Sequence, residues 1–218
     1  MYEALITKDG SLTYRNTDLG VTYRSIHGAE SESRYVFLEG SGITERENHW
    51  RVLELGFGTG LNFALTCQAA EQAEVSLEFV SLEPKPMPNE LWVVEERWKN
   101  LKFDEAFVHN NINLTLIKET WQNFTPHTNY FHACYHDPFG PGQSPECWET
   151  ACFEWSHKAL QQDGILSTFG ASTSARQAMK DAGFLVGTLL GPHMKREMTV
   201  ASPTEAPICN ARAWKRKK

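Results

Sequence analysis

Residues 52–63 constrain the fold of this chain more than any other stretch. An apolar run that contains one acidic residue, Glu54, predicts a short buried parallel strand over 52–55. Glycines at positions 56, 58 and 60 follow, and a helical pattern begins at Leu61. Strand, glycine turn and helix together are typical of a nucleotide-binding βα unit. Glycine lets a ligand lie against the backbone, and the helix N-terminus offers N–H donors.

The spacing of these glycines narrows the interpretation. It is G-x-G-x-G and not the G-x-G-x-x-G of the dinucleotide fingerprint. With Glu54 before the first glycine, the stretch resembles motif I of class I S-adenosylmethionine-dependent methyltransferases, whose turn holds the methionine end of the cofactor. NAD binding, or a turn that only packs a helix on a strand, are the alternatives. On this resemblance the expected cofactor contacts are Glu54, Gly56, Phe57, Gly58, Thr59, Gly60 and Asn62.

Strands and helices alternate from Arg51 onward, which predicts an α/β fold with a parallel sheet covered by helices on both faces. Seven strands match the number in the class I methyltransferase sheet, whose last strand is antiparallel by that resemblance. Gly164 and Gly183 are expected to end helices. The predicted strands are 52–55, 75–82, 112–117, 130–136, 165–169, 184–190 and 197–201, and the predicted helices are 61–71, 89–98, 148–161 and 173–181.

Three units are expected along the chain. Residues 1–50 form an N-terminal β extension packed on the core, with a hairpin of 4–7 and 12–14 and with short strands or loop at 21–25 and 35–38. Residues 51–201 form the Rossmann-like methyltransferase domain. Residues 202–218 form a basic C-terminal tail.

The net charge and the cysteine content indicate which binding partners and which cellular compartment suit the protein. A net charge of −6 argues against indiscriminate polyanion binding, but Lys195, Arg196 and the basic C-terminus form a local patch that suits a nucleic acid held in one place. Five cysteines without a C-x-x-C pair indicate a reducing, cytoplasmic compartment. No apolar run is long enough to span a membrane, and the N-terminus lacks the pattern of a signal peptide.

Acidic and polar residues follow the second and third predicted strands. Glu83 ends the second strand, where a carboxylate is placed to accept both ribose hydroxyls of an adenosine cofactor. Glu119 and Thr120 end the third strand, and both are candidates to contact the adenine amino group.

The fourth strand runs into Asp137, Pro138 and Phe139, which form a suitable site for an amine. The carboxylate accepts a hydrogen from nitrogen, proline fixes the turn, and the aromatic ring offers a face to a planar base. On the same strand His132, Cys134 and His136 share one face. Neighbours on that face lie roughly 6.5–7 Å apart, too far to enclose one ion, so no metal site is predicted.

Further segments resemble one family, the methyltransferase part of the MnmC/MnmD tRNA 5-methylaminomethyl-2-thiouridine biosynthesis proteins. The matching segments span roughly residues 20 to 200. This chain departs from the family at Thr120, where the family usually has an Asp. These segments are E-S-R-Y-V-F-L at 32–38, G-F-G-T-G-L-N-F at 56–63, S-L-E-P-K-P at 81–86, D-P-F-G-P at 137–141, L-S-T-F at 166–169, A-G-F at 182–184 and K-R-E-M at 195–198.

The resemblance implies a tRNA N-methyltransferase that uses S-adenosyl-L-methionine. Its expected substrate is the amine of 5-aminomethyl-2-thiouridine at the wobble position of the tRNA anticodon loop. Asp137 is then the catalytic base, while Pro138, Phe139, Lys195 and Arg196 bind substrate. The family's FAD-dependent oxidoreductase domain has no counterpart here, so a separate oxidoreductase or upstream tRNA-modifying enzymes are candidate partners. A small-molecule N-methyltransferase, a non-catalytic nucleotide-binding module and an NAD-dependent oxidoreductase are the alternative functions.

Overall fold

The first three strands form a small antiparallel sheet ahead of the main fold. The computed structural model describes residues 1–192, 196–208 and 210–215. The strands are β1 (Tyr2–Ile6), β2 (Leu12–Asn16) and β3 (Val21–Thr22), and Ile6 pairs with Leu12 across the turn. The predicted hairpin at 4–7 and 12–14 is therefore confirmed.

A helical segment, not a strand or loop, covers residues 35–38. Helix α1 (Ala29–Ser33) continues into a π-helical turn, Arg34–Glu39. Val36, Phe37 and Leu38 are all buried, which a half-buried strand with alternating faces would not allow. The prediction of strand or loop at 35–38 is therefore wrong.

Nine strands among the described residues form the main sheet. Its order is β12-β10-β11-β9-β8-β4-β5-β7-β6. The strands are β4 (His49–Leu55), β5 (Ser76–Leu82), β6 (Ala106–His109), β7 (Ile112–Ile117), β8 (Phe131–His136), β9 (Leu160–Thr168), β10 (Leu185–Leu190), β11 (Glu197–Ser202) and β12 (Arg212–Ala213). The longer helices are α2 (Leu61–Gln72), α3 (Thr150–Ala159) and α4 (Thr173–Asp181).

The centre of the sheet confirms the predicted α/β architecture. Strands β7, β5, β4, β8 and β9 run parallel, whereas β11 is antiparallel to β9, as the resemblance implied. The seven predicted strands are present, and β6 and β12 add one strand at each edge. β12 lies within the segment expected to be a tail. The strand order reverses beside β4, so the carboxyl ends of β4 and β8 flank the crevice where doubly wound folds bind ligands.

The two faces of the sheet bury separate hydrophobic clusters. Neighbouring residues of β4 divide between them: Val52 packs in the cluster that contains Phe63 of α2, and Leu53 in the cluster that contains Phe153 of α3. All four side chains are at most 1% exposed. Burying an aromatic or branched side chain of this size contributes about 1.5–3 kcal/mol, so helices are needed on both faces. Among the described residues, no helix is long and apolar enough to cross a membrane.

The predicted helix at 89–98 is wrong. This segment forms two short 3₁₀ turns, Asn89–Leu91 and Glu96–Trp98. Between them the Val93 N–H donates to the Thr59 carbonyl at 2.7 Å. A tertiary hydrogen bond therefore holds the middle of the segment extended against the glycine turn.

The predicted helix at 148–161 starts late and ends early. A 3₁₀ turn at Pro145–Trp148 precedes α3, and residues 160 and 161 already belong to β9. Gly164 lies inside β9 and does not end a helix, which corrects that prediction. A Cβ at Gly164 would lie 2.9 Å from the Phe131 carbonyl oxygen, so the close approach of β8 explains the glycine.

Gly183 ends α4, as predicted. Its φ is +96°, a conformation that glycine adopts without strain. The Gly183 N–H donates to the Lys180 carbonyl, and the Phe184 N–H donates to the Met179 carbonyl at 3.1 Å. This Schellman pairing closes the helix and turns the chain into β10.

Candidate active site

A cavity of about 800 Å³ opens at the carboxyl ends of β4, β5, β7 and β8. This volume lies within the range of small-molecule and cofactor sites. The lining comes from the glycine turn, three further strand ends and the N-terminal sheet. It includes Arg15, Tyr23, Arg24, Gly56, Gly58, Thr59, Glu83, Glu119, Thr120, Asp137, Pro138, Phe139, Glu146, Cys147 and Phe169.

The glycine turn has positive φ at all three glycines, for different structural reasons. Gly56 (φ +91°) lies so close to the end of β8 that a Cβ would be 2.6 Å from the Asp137 carbonyl oxygen. A Cβ at Gly60 would meet the Phe57 ring at 2.7 Å. Gly58 faces the cavity beside Tyr23. The turn therefore brings β4 and β8 together and leaves backbone exposed to a ligand.

Phe57 and Thr59 differ in where their side chains point. Phe57 is buried, and its ring centroid lies 5.0 Å from that of Trp92, in the core rather than in the cavity. Thr59 lines the cavity, and its buried hydroxyl has no hydrogen-bond partner within the part of the chain that the structure describes. A buried hydroxyl without a partner is costly, so Thr59 Oγ1 is a candidate to bind a ligand.

Two backbone hydrogen bonds fix the Glu83 carboxylate beside the glycine turn. The Gly58 N–H donates to Oε2 and the Lys85 N–H donates to Oε1, each at 3.1 Å. Burial raises the pKa of this carboxyl to about 6, although both backbone hydrogen bonds oppose that shift. Each carboxylate oxygen retains acceptor capacity, so Glu83 can accept two neighbouring hydroxyls.

A buried polar network lies behind the turn and joins β4, α2 and β8. Asn62 Nδ2 donates to Glu54 Oε1 and to Asp137 Oδ2, each at 2.9 Å. Ser81 Oγ donates to Glu54 Oε2 at 2.7 Å. The Arg24 guanidinium forms an ion pair with Asp137, and both side chains are 6% exposed. Of these five residues, Arg24 and Asp137 line the cavity.

Burial and one arginine set the charges of this network. Burial raises the pKa of Glu54 to about 8, which the Ser81 hydrogen bond opposes. Burial also raises the pKa of Asp137 to about 6, and the charge of Arg24 works against that shift. At neutral pH Glu54 is therefore mainly protonated, while Asp137 carries a charge that Arg24 balances.

Two site residues from the N-terminal segment were not predicted from the sequence. Arg24 pairs with Asp137, and the Tyr23 ring centroid lies 5.1 Å from that of Phe139. Both follow β3, far from any motif. No spacing links position 24 with position 137, because the contact forms only once the N-terminal sheet packs on the core.

The other expected site residues divide between two places. Pro138 and Phe139 line the cavity, and Trp148 Nε1 donates to the Phe139 carbonyl at 2.8 Å. Glu119 and Thr120 also line it, so the structure leaves both open as adenine contacts.

Arg196, one of the two expected basic residues, does not line this cavity. Lys195 lies outside the described residues. Arg196 is exposed and lines a second cleft, together with Arg176, Arg212 and Trp214.

The histidines and cysteine of β8 are packed as core residues. His136 lies against the Trp148 and Phe153 rings, with centroid distances of 4.8 and 4.9 Å. His132 Nδ1 accepts the Arg51 N–H at 3.1 Å, and Cys134 is fully buried. No group of three His, Cys, Asp or Glu side chains suited to a metal occurs among the residues described.

Sequence comparison finds related methyltransferases. A family profile described as S-adenosyl-L-methionine-dependent methyltransferase matches residues 90–204. A protein of Nitrosospira multiformis, named tRNA 5-methylaminomethyl-2-thiouridine biosynthesis bifunctional protein MnmC, is 29% identical over 210 residues, which cover 84% of this chain and 34% of that protein. The protein of the same name from Burkholderia mallei is 30% identical over 217 residues, covering 83% and 32%. The chain thus spans about a third of the length of these curated relatives.

Structural comparison finds the same kind of protein. MnmC2 from Aquifex aeolicus superposes with a TM-score of 0.81 at 26% identity, covering 94% of this chain and 71% of that one. Streptomyces venezuelae DesVI superposes with a TM-score of 0.51 at 13% identity, covering 80% and 92%, and is similar in fold alone. These similarities agree with the methyltransferase fold expected from the glycine turn.

Proposed function

Because this chain belongs to the family of S-adenosyl-L-methionine-dependent methyltransferases, we propose that it methylates tRNA. The proposed substrate is the amine of 5-aminomethyl-2-thiouridine at the wobble position, and the product is 5-methylaminomethyl-2-thiouridine. The observation that carries the proposal is the position of Asp137, which lies at the end of β8 beside Phe139 in the cavity that also contains the glycine turn. The proposed setting is the cytoplasm, with a separate oxidoreductase or upstream modifying enzymes as partners.

The cavity supports cofactor binding across the ends of β4 and β5. Gly58 leaves backbone open, Glu83 offers two carboxylate oxygens, and the Thr59 hydroxyl lacks a partner within the described chain. We assign the ribose hydroxyls to Glu83 and the adenine amino group to Glu119 or Thr120. When bound, S-adenosyl-L-methionine supplies a methyl group on a sulfonium, and the protein aligns that methyl with the amine.

Asp137 is proposed as the base. A primary alkylamine has a pKa near ~10.4 in water, and its ammonium form has no lone pair. The Asp137 carboxylate accepts a hydrogen from the nitrogen, and the Arg24 charge keeps that carboxylate ionised against the effect of burial. Arg24 also places a positive charge near the amine, which favours the neutral amine over the ammonium.

Aromatic side chains are proposed to hold the wobble base. Phe139 offers a stacking face, and Tyr23 supports its ring from the N-terminal sheet. Pro138 and the Trp148 hydrogen bond to the Phe139 carbonyl fix the loop. Bases of single-stranded loops are read in this way, by stacking and edge contacts. Arg196, which lies outside the cavity, is assigned to phosphates, and so is Lys195.

The test is methyl transfer to tRNA that contains 5-aminomethyl-2-thiouridine. Labelled S-adenosyl-L-methionine and nucleoside analysis should reveal 5-methylaminomethyl-2-thiouridine, and a reaction without the protein serves as the control. Free alkylamines are tested in parallel, because a small-molecule N-methyltransferase would use the same cofactor site. Transfer to free amines without transfer to tRNA would contradict the proposed substrate.

A further inference from the structure

A second cleft adjoins the first cavity at Phe169, which lines both. It opens between the start of α4 and the strands β10, β11 and β12. Its charged lining consists of four cationic side chains and one carboxylate, and Trp214 adds an aromatic surface. These charged residues are Arg176, Arg196, Glu197, Arg212 and Lys215.

Arg176 is a buried cation with an unused donor. It lies in the first turn of α4 and is 4% exposed. Its Nε donates to Thr199 Oγ1 at 2.9 Å, and Nη1 pairs with Glu197 at 2.7 Å. Nη2 has no hydrogen-bond partner among the described residues, although the side chain lines the cleft. A buried guanidinium nitrogen left in this way is costly unless a ligand accepts its hydrogens.

The N-terminus of α4 faces the same space. Ala171 and Thr173 line the cleft, and Ser172 caps the helix by accepting the Ala175 N–H at 3.1 Å. N–H groups in a first helical turn have no intrahelical acceptor, and the helix dipole there favours an anion. The helix start and the unused Arg176 donor therefore point to one anionic ligand.

The two cavities differ in charge. The first is lined by four carboxylates and two arginines, of which Arg24 is paired with Asp137, whereas the second is lined by four cations and one carboxylate. The phosphate of a nucleotide whose base enters the first cavity is therefore favoured more by the second cleft than by the first cavity. The basic cleft beside Phe169 offers that phosphate a binding site a short distance away.

We propose that the second cleft binds the backbone of single-stranded RNA next to the nucleotide that enters the first cavity. A phosphate lies at the start of α4 against Nη2 of Arg176, with Arg196 and Lys215 around it, while Arg212 is paired with Glu197. A neighbouring base contacts Trp214, which is half-buried and is held by its backbone N–H bond to the Val186 carbonyl at 2.9 Å. This inference rests on the proposed tRNA substrate.

The experiment measures binding of an anticodon stem-loop oligonucleotide by fluorescence anisotropy, without cofactor and over a range of salt. Trp214→Ala should weaken binding of the stem-loop roughly 5-fold to 100-fold, as expected for one lost base stack. Trp214→Phe should retain most of the wild-type affinity, because phenylalanine still offers a ring for stacking. Arg196→Ala with Lys215→Ala should lower the salt slope by about 0.7 for each lost phosphate contact. Lys102→Ala, an exposed cation next to the opposite sheet edge, is the matched control and should bind as wild type.

Two further measurements separate this proposal from the proposed function. Affinity for S-adenosylhomocysteine should be unchanged in all these variants, and thermal unfolding checks that they fold. Wild-type binding that depends on Trp214 and the cleft cations supports the cleft, even if no methyl transfer to tRNA occurs. Wild-type stem-loop affinity and salt slope in every cleft variant would overturn it, even if wild-type protein methylates tRNA. Absence of stem-loop binding by the wild type would also overturn it.

Discussion

Glu83 is the residue whose environment indicates its role most directly. Two backbone N–H groups hold its carboxylate at the turn, so its position does not depend on a flexible contact. Glu83→Ala should weaken S-adenosyl-L-methionine binding, since each hydrogen bond to a charged acceptor contributes roughly 1.5–3 kcal/mol. Titration calorimetry measures this loss, and Glu146→Gln, at an exposed position of the same cavity, is the control. Wild-type affinity in Glu83→Ala would remove Glu83 from the cofactor site.

Asp137 can be tested separately from cofactor binding. Asp137→Asn keeps the shape of the side chain but cannot accept a proton, so methyl transfer should slow by roughly 10²–10⁴. The loss should be smaller at high pH, where more of the amine is neutral. Single-turnover transfer to tRNA, measured against pH on protein checked for folding, decides this. If Asp137 only fixes the loop, the variant will lose stability and keep its rate per folded molecule.

At the scale of elements, the N-terminal sheet supplies a charge that the core lacks. Arg24 follows β3, and its charge holds the pKa of Asp137 below the value that burial alone would impose. In Arg24→Gln the Asp137 pKa should rise further, so the carboxylate becomes ionised only at higher pH. The acid limb of the rate profile should therefore move upward in pH. The matched control is Arg15→Gln, which removes an exposed cation from the same cavity. An unmoved acid limb in Arg24→Gln would contradict this role.

The elements that could be predicted are those fixed by local sequence. The glycine turn, the strand ends at Glu83 and Asp137, and the end of α4 at Gly183 follow from short-range patterns, and the structure has these elements in place. The conformation of residues 89–98 could not be predicted, because the hydrogen bond from the Val93 N–H to the Thr59 carbonyl holds this segment out of a helix. Tertiary contacts override weak helical propensity in this way.

At the scale of the whole molecule, the contacts that complete the site join distant parts of the chain. Arg24 and Asp137 are 113 positions apart, and only the packing of the N-terminal sheet on the core brings them together. No periodicity or motif in the sequence predicts such a pair. The same applies to the basic cleft, where α4, β11 and β12 meet.

The stability of the whole protein should depend on the burial of Glu54. Its pKa in the folded protein is about 8, against an ordinary value of 4.5, so between these values the folded state binds more protons than the unfolded state. The free energy of unfolding therefore falls as pH rises through this window. Buried His132 and His136, with pKa values lowered to about 4 and about 3, act in the opposite sense as pH rises through the ordinary histidine value of 6.5.

The histidines contribute equally in the wild type and in Glu54→Gln, so the difference between the two proteins isolates Glu54. Between pH ~6.5 and ~8 the wild type should lose on the order of 1–2 kcal/mol of unfolding free energy relative to Glu54→Gln. Glu54→Gln has nearly the same shape and cannot ionise, so its stability should change less over this range. Urea unfolding of both proteins at several pH values measures the difference. Thr115→Ala, which changes a half-buried hydroxyl on β7, is the control and should keep the wild-type slope. Parallel stability curves for wild type and Glu54→Gln would show that Glu54 is already ionised in the folded protein.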